Sequence, residues 1–197
     1  YWDVGVGVLG ATGFELPPAR VLALAARGTF CICLWVQLDS SSTTTTLFSL
    51  YDAFGCGLQL QLQPAGASCM RAELLVYEAP RHLSAGRLFD SLRKGQAPSH
   101  LHGQVPVCTV GSFGADAVCH SSNWHFLCLS LRKGSLIGRD EALLSIDGTL
   151  CCHAQNFRFP QLAPTAAHGG MAAVAAAPGG GRPGGGLRGY LGAFGLL

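Results

Sequence analysis

Cysteine and histidine side chains can hold a metal ion or act as nucleophiles, and this 197-residue chain has nine cysteines and seven histidines. Two groups combine them: Cys119 and His120 with His125 and Cys128, and Cys151-Cys152-His153. Thiolate and imidazole are good zinc ligands, but neither spacing matches a common zinc pattern. No cysteine combines a basic flank and a nearby histidine in a way that nominates it as a nucleophile. We therefore expect no metal centre, no cofactor and no catalytic thiol.

Carboxylates, which perform glycoside hydrolysis in pairs, are few in this sequence. The chain has eleven Asp and Glu residues, and they do not cluster. Glycosidic cleavage needs two carboxyl groups about 5–10 Å apart. Glu73 and Glu78 are five positions apart, which puts them on opposite faces of a regular strand. The sequence predicts that the domain is not an enzyme.

Two tryptophans lie in apolar segments about ninety residues apart. Exposed indoles would be sugar-stacking platforms, as in lectins, whereas buried indoles supply core area. The apolar surroundings favour burial, and the predicted structural core comprises Trp35, Phe30, Leu34, Trp124, Phe126 and Ile146. If Trp124 is buried, Trp124→Ala costs about 3–5 kcal/mol. A loss below about 1 kcal/mol would indicate an exposed indole and favour a lectin.

The dipeptide Asp147-Gly148 follows an apolar segment. One carboxylate is too few for Ca²⁺, which takes six or more oxygen ligands. Asp-Gly is instead typical of a type I′ hairpin turn, because both central residues of that turn need positive φ. We predict that Asp147 and Gly148 form a turn.

The composition narrows the classes of partner. Hydrophobic residues make up 49% of the chain and charged residues only 12%, against roughly 25% charged in a typical soluble domain. So few charges imply a large core or a surface that packs against other protein domains. The net charge of +2 and the lack of a basic cluster exclude nucleic acid. The longest apolar stretch, Val21 to Val36, is interrupted and too short to span a membrane as a helix.

The cysteine pattern bears on the cellular compartment. Nine cysteines cannot all pair internally, and the sequence has no Asn-x-Ser/Thr acceptor. Cys31 and Cys33 are two apart on one strand face, a poor geometry for a local disulfide. Cys128 lies in an apolar run, where a thiol behaves as a small hydrophobe. We expect a reducing, cytoplasmic setting; the alternative is a secreted module with several disulfides and one spare thiol.

The elements that must position these residues are short strands. In the segment Thr29–Leu38, alternate apolar side chains share one face, which is the period of a β-strand. One or two helical turns are expected at Ala19–Ala26. The other predicted strands are Thr46–Tyr51, Gly57–Gln63, Glu73–Glu78, Trp124–Leu131, Ala142–Ile146, Thr149–His153 and Gly189–Leu197. Many short strands and no long helix predict an all-β antiparallel sandwich.

Two segments interrupt this pattern. Residues 79–122 contain several prolines and predict a long irregular insertion, with one helix near Ser84–Arg93. Residues 164–187 are rich in Gly and Ala and predict a flexible low-complexity loop. We expect residues 1–197 to form a single domain, cut from a much larger protein.

The ordered strands resemble the concanavalin A-like, laminin G-like jelly-roll superfamily. Phe30-x-Ile32-x-Leu34-Trp35-Val36 resembles its early F-T-x-S-x-W-V strand, and the segments Leu47–Leu50 and Gly57–Leu60 resemble the next hairpin. Trp124–Leu129 resembles the W-H-x-V-x-x strand. Leu144–Gly148 and Gly189–Gly192 resemble its L-x-V-D-G turn and x-Y-I-G strand.

Within that superfamily, this chain most resembles the module of the large BEACH-domain proteins. Examples are the neurobeachin-like and lysosomal-trafficking-regulator families. The resemblance implies a non-catalytic interaction module inside a cytoplasmic scaffold of vesicle traffic or autophagy, with a PH-BEACH-WD40 region downstream. Its partners would be neighbouring or trafficking protein domains. The alternative is an extracellular laminin G-like domain that binds glycans or proteins. In either case the concave sheet face and the insertion at Ala79–Ser122 are the expected contact surfaces.

Overall fold

The computed structural model describes residues 7–9, 14–25, 27–38, 44–52, 56–65, 70–77, 107–108, 115–117, 123–134, 138–154, 159–160, 162, 171–174 and 189–196. These ranges contain one helix, α1 (Pro18–Ala25), and thirteen strands. The strands are β1 (Gly7–Leu9), β2 (Phe14–Leu16), β3 (Thr29–Leu38), β4 (Thr45–Tyr51), β5 (Gly57–Pro64), β6 (Met70–Tyr77), β7 (Val107–Cys108), β8 (Ala115–Ala117), β9 (His125–Arg132), β10 (Glu141–Ile146), β11 (Thr149–Ala154), β12 (Met171–Val174) and β13 (Gly189–Leu196).

The strands form two antiparallel sheets, which confirms the predicted all-β sandwich. The first sheet has six strands in the order β1-β13-β3-β9-β10-β11. The second has seven strands in the order β2-β12-β4-β5-β6-β7, with β8 also paired to β6. Strands distant in sequence, such as β3 and β9, are therefore neighbours, and both sheets combine residues from the two halves of the chain.

The core lies between the sheets because each long strand turns its apolar residues inward. In β3 the even-numbered residues, from Phe30 to Leu38, are buried. The alternation of β9 and β10 buries Leu127, Leu129, Leu131, Leu144 and Ile146 in the same way. The inner face of the second sheet supplies Phe48, Leu50, Leu58, Leu60, Leu62, Leu74 and Val76. Phe30 and Phe48 meet across the core with their ring centroids 5.9 Å apart.

The helix α1 covers one part of this core. It starts at Pro18, a residue favoured in the first helical turn because its backbone has no N–H that would go unpaired there. The side chains of Val21, Leu22 and Ala25 are fully buried, and α1 contacts β3, β4 and β12. No helix in the described ranges has the length and hydropathy needed to cross a lipid bilayer.

Part of the segment predicted to be a flexible loop is a strand, which corrects that expectation. Strand β12 pairs with both β2 and β4 inside the seven-stranded sheet, and Ala172, Ala173 and Val174 are buried. A short run of small apolar residues is enough here because its neighbours on both sides supply hydrogen bonds and cover. The rest of 164–187 lies outside the described residues.

The insertion at 79–122 contributes the short strands β7 and β8 at the β6 side of the seven-stranded sheet. The helix predicted near Ser84–Arg93 and the residue Glu78 lie outside the described residues.

Three residues assigned to the core are not in it. Trp35 and Trp124 are exposed, and Phe126 is half-buried. The reason is strand parity: Trp35 lies between the inward-facing Leu34 and Val36, so its own side chain must point outward. Phe30, Leu34 and Ile146 are in the core.

Candidate binding face on the six-stranded sheet

The outer face of the six-stranded sheet carries a cluster of large aromatic side chains. Trp35 of β3 is directly opposite Phe126 of β9 in the strand register. Trp124 immediately precedes β9, and Tyr190 belongs to β13, on the other side of β3. We call the group of Trp35, Trp124, Phe126 and Tyr190 the aromatic patch.

The rings of the aromatic patch pack in pairs. Trp35 and Phe126 have ring centroids 5.2 Å apart, and Trp124 and Tyr190 have ring centroids 6.4 Å apart. Both pairs are tilted, as the quadrupoles of aromatic rings favour. Even so, 42% of Trp35, 38% of Trp124 and 37% of Tyr190 remain exposed.

A glycine lets the two tryptophans come together. A Cβ atom on Gly192 would lie 2.9 Å from the Cβ of Trp35 and 3.3 Å from the Cζ3 of Trp124. Contacts that short require neighbouring atoms to move, so only glycine fits without rearrangement. The register between β13 and β3 shifts between Leu191 and Phe194, next to this contact. Gly192 therefore joins the two aromatic pairs into one surface.

The turn at Asp147 holds the start of β9, beside Trp124. Asp147 and Gly148 have φ of 52° and 80°, the positive values that a type I′ turn requires. The backbone N–H of Phe126 donates to Asp147 Oδ1 (2.8 Å), and the Asp147 N–H donates to the Phe126 carbonyl oxygen (2.8 Å). The ring of His125 lies with its Nδ1 2.7 Å from Asp147 Oδ2. Asp147 is thus a structural anchor as well as a turn residue.

These contacts shift the acidity of Asp147. Partial burial raises the pKa of its carboxyl group, but the hydrogen bond from the Phe126 N–H and the contact with His125 outweigh this effect. The pKa of Asp147 is therefore held below its usual value. On the other side of the ring, His125 Nε2 is buried and has no hydrogen-bond partner among the described residues.

Three cysteines form a second feature of the same face. Cys33 of β3 is directly opposite Cys128 of β9, one row along the sheet from Trp35 and Phe126. The Sγ–Sγ distances are 3.1 Å for Cys33–Cys128, 3.5 Å for Cys31–Cys128 and 3.6 Å for Cys31–Cys33. We call these three residues the thiol cluster. All three are free thiols and half-buried.

The thiols of the cluster influence one another. Burial and the neighbouring Cys128 and Cys33 raise the pKa of the Cys31 thiol. Burial and the hydrogen bond with Cys128 likewise raise the pKa of Cys33. The raised pKa values keep the Cys31 and Cys33 thiols protonated at neutral pH unless a cation replaces their protons.

The described members of the cysteine–histidine groups singled out from the sequence do not come together. His125 turns inward and Cys128 outward, because three positions along a strand reverse the face. Cys119 and His120 lie outside the described residues. In β11, Cys151 and His153 are exposed, while Cys152 packs against the core. Within the described ranges, Cys31, Cys33 and Cys128 are the only group of three His, Cys, Asp or Glu side chains close enough to hold one ion.

The thiol cluster was missed in the sequence because only one of its two signals is local. The Cys31-x-Cys33 spacing places both thiols on one face of a strand. The second signal, Cys128 in the strand that starts after Trp124, has meaning only when the pairing of β3 with β9 is known.

The outer face of the seven-stranded sheet is different in chemistry. Tyr51 donates its hydroxyl to Gln59 Oε1 (2.9 Å), and Gln59 Nε2 donates to Thr46 Oγ1 (3.1 Å) and to Gln61 Oε1 (3.1 Å). Gln61 Nε2 donates to Glu73 Oε2 (2.8 Å), which also accepts from Gln63. We call this chain of side chains, Thr46, Tyr51, Gln59, Gln61, Gln63 and Glu73, the polar ladder.

Two antiparallel sheets packed face to face form a sandwich whose fold is similar to that of concanavalin A-like and laminin G-like domains. A scan against protein-family models finds no match, and a search of curated proteins finds no similar sequence. The assignment rests on comparison with solved structures.

Three solved structures illustrate the similarity. The CBM40 domain of the Ruminococcus gnavus IT-sialidase, bound to α2,3 sialyllactose, matches with a TM-score of 0.57 and 13% identity over 100% of this chain and 88% of that one. The K499G mutant of the NanB sialidase from Streptococcus pneumoniae matches with a TM-score of 0.61 and 10% identity over 100% of this chain. Domains LG4-5 of the mouse laminin α1 chain match with a TM-score of 0.51 and 10% identity over 98% of this chain.

At these identities the comparisons establish the fold alone. This chain spans 26% of the NanB chain and 39% of the laminin chain. In those longer chains the fold is thus one part among others.

Proposed function

We propose that this domain is a non-catalytic, laminin G-like binding module that contacts its partner through the aromatic patch. The observation that carries the proposal is the exposure of three large aromatic side chains, Trp35, Trp124 and Tyr190, side by side on one sheet face. Rings of this size are normally buried when nothing else requires them outside. An exposed aromatic surface on a rigid sheet is typical of an interaction site.

A protein is the partner that the aromatic patch favours. Tryptophan and tyrosine are the residues most enriched at the energetic centres of protein interfaces, where their rings enter apolar pockets of the partner. The low fraction of charged residues, 12%, leaves little long-range electrostatic steering. We infer that the module binds through burial of apolar surface, with the indole N–H and phenol O–H groups setting the orientation.

A glycan is the second candidate, and a specific observation favours it. The exposed indoles of Trp35 and Trp124 have the form of sugar-stacking platforms, and one structure of the same fold, the CBM40 domain, is bound to α2,3 sialyllactose. An indole stacks on the apolar face of a sugar ring, and neighbouring polar groups then select the sugar.

The parent protein is also a matter of proposal. A cytoplasmic BEACH-type scaffold in vesicle traffic or autophagy is supported by the sequence resemblance alone. The structures named above are of a carbohydrate-binding module, a sialidase and laminin domains, and they lend more support to a laminin G-like glycan- or protein-binding domain. A count of free thiols in the native protein separates the two settings: mostly free thiols favour the cytoplasm, mostly paired ones the secreted module.

The test places a photo-crosslinking amino acid at Trp35 in the full-length parent protein. We expect a defined protein crosslink that weakens at least about tenfold with Trp124→Ala, since a central aromatic residue contributes about 2 kcal/mol or more to an interface. The same probe at Gln63, at the end of the polar ladder on the other sheet, is the matched control and should give no such product.

A parallel titration with sialyllactose and with neutral oligosaccharides, followed by tryptophan fluorescence, tests the glycan candidate. Saturable binding of an oligosaccharide that disappears in Trp35→Ala would show that the ligand of the aromatic patch is a glycan and not a protein. Crosslinks that form from Gln63 and are unaffected by Trp124→Ala would show that the aromatic patch is not the contact surface.

A further inference from the structure

The thiol cluster is built by the pairing of two strands. Cys31 and Cys33 point to the same side of β3 because they are two positions apart, and Cys128 is directly opposite Cys33 on β9. The three Sγ atoms form a triangle with sides of 3.1, 3.5 and 3.6 Å. The pairing of β3 with β9 thus places the three Sγ atoms around a common centre.

We propose that the thiol cluster is a binding site for a single soft metal ion, Cu(I), coordinated by the sulfur atoms of Cys31, Cys33 and Cys128. This site is separate from the aromatic patch, and the proposal does not depend on the proposed function.

The size of the triangle suits one metal ion. Three sulfur atoms at about 2.3 Å from a common ion would be roughly 4.0 Å apart from one another in the trigonal planar arrangement of a three-coordinate ion. The observed separations of 3.1 to 3.6 Å are shorter, so the thiols must move apart to take up the ion. Small rotations of the three side chains would therefore admit the ion without any change in the strands.

The ligand set selects the metal. Thiolates are soft ligands that prefer Cu(I) and Zn²⁺ to the harder Mg²⁺ and Ca²⁺. A structural zinc site normally has four protein ligands. In the described part of the chain no fourth His, Cys or carboxylate joins the group, and Gly195 and Ser145 are the register neighbours of Cys33 and Cys128. Three sulfur ligands without a fourth favour Cu(I).

The surroundings allow an ion to enter and to be retained. All three cysteines are half-buried, so the sulfur atoms can be reached from solvent but are partly protected from it. The aromatic pair of Trp35 and Phe126 is the next row of the same face. Apolar neighbours of this kind limit the access of competing water to a metal–sulfur bond.

The test is a titration of the full chain with Cu(I) under anaerobic, reducing conditions, in competition with a chromophoric Cu(I) chelator. We expect Cys31→Ser, Cys33→Ser and Cys128→Ser each to weaken the tightest binding by at least about 100-fold, since even the loss of an outer partner of a ligand costs 10- to 100-fold. Cys151→Ser, which removes an exposed thiol of β11, is the matched control and should leave the affinity unchanged.

X-ray absorption at the copper edge of the wild-type complex gives a measurement that does not depend on how well the variants fold. Three sulfur neighbours around copper support the site, and two sulfur neighbours or mainly nitrogen and oxygen neighbours would overturn it. Binding that survives Cys33→Ser would also overturn it. The same holds if the reduced protein takes up no Cu(I), or if Cys33 and Cys128 are found joined as a disulfide in the native protein.

Discussion

On the outer face of the seven-stranded sheet, the side chains of the polar ladder donate and accept hydrogen bonds among themselves, and Tyr51 and Gln61 are buried. On the outer face of the six-stranded sheet, the indoles of Trp35 and Trp124 are exposed beside three thiols. On the seven-stranded sheet, the polar side chains form hydrogen bonds with one another. On the six-stranded sheet, the large aromatic rings and the sulfur atoms remain accessible to a partner.

The difference between the two faces indicates that the polar ladder serves stability and the aromatic patch serves binding. Amide side chains that satisfy one another have little hydrogen-bonding capacity left for a ligand, and breaking their bonds costs stability. Rings that are partly exposed contribute less to stability and gain more when a partner covers them. The comparison predicts that variants of the polar ladder affect mainly folding and that variants of the aromatic patch affect mainly binding.

Among variants of the two outer faces, the largest effect on stability is expected from Glu73→Ala. Glu73 Oε2 accepts from both Gln61 and Gln63, so its removal breaks two bonds to a charged group. We expect a loss of about 3 kcal/mol in the free energy of unfolding, measured in urea. Glu73→Gln keeps an oxygen acceptor and should recover part of the loss, while Glu15→Ala, at an exposed position of β2, should change stability by less than about 0.5 kcal/mol. Unchanged stability in Glu73→Ala would mean that the polar ladder is not structural.

Gly192→Ala is expected to be the next largest. The new Cβ would lie 2.9 Å from the Cβ of Trp35, so the indoles or β13 must shift. We expect a loss of about 2 kcal/mol, within the range of overpacking substitutions, together with a change in tryptophan fluorescence. The loss should be smaller in a Trp124→Ala background, because the crowded ring of Trp124 is then gone and only the contact with the Trp35 Cβ remains. Additive losses would contradict the contact between Gly192 and Trp124.

Trp124→Ala should cost only about 1 kcal/mol, because more than a third of the residue is exposed. The fully buried Phe30 provides the reference: Phe30→Ala should cost about 3–5 kcal/mol in the same assay. A loss of 3 kcal/mol or more in Trp124→Ala would indicate that this indole is buried in the core. The contrast between the two outer faces would then be wrong.

The smallest effect concerns pH and the anchor of the aromatic patch. The folded-state pKa of Asp147 is below its usual value, so the ionised carboxylate stabilises the folded state above the unfolded pKa of about 4. This contribution should disappear as the pH falls from about 4 through the folded pKa. Unfolding in urea at pH 7, 4 and 3 measures it, and Asp147→Asn, which tolerates positive φ, should remove this part of the pH dependence. An identical pH profile in the variant would show that the charge of Asp147, held by the Phe126 N–H and by His125, does not stabilise the fold.

Much of the architecture could be predicted because it depends on local patterns. The bounds predicted for β3 agree with the structure, since five alternating apolar residues define both its period and its length. Asp147-Gly148 marks its turn because few other residues accept positive φ. The strand β12 was missed because a run of alanines has no alternation, and only its two neighbours make it a strand.

The candidate sites were harder to predict. The outward direction of Trp35 follows from the same alternation that buries Leu34 and Val36, so the sequence did contain the signal. The prediction of a buried Trp35 was wrong because it followed the hydrophobicity of the indole and its neighbours instead of the alternation. The thiol cluster has only the Cys31-x-Cys33 spacing as a local signal, because Cys128 is 95 positions from Cys33.

The sequence by itself therefore determined the two-faced strands, the turn at Asp147 and the sandwich class, because side-chain period and backbone φ preferences act between residues close in the chain. The tertiary structure alone decided which rows of side chains become neighbours. The pairing of β3 with β9 and β13 brings Trp35 to Phe126, Trp124 over Gly192, and three thiols to within 3.6 Å of one another. Register across a sheet is set by the packing of the whole core, and no single segment of the chain contains that information.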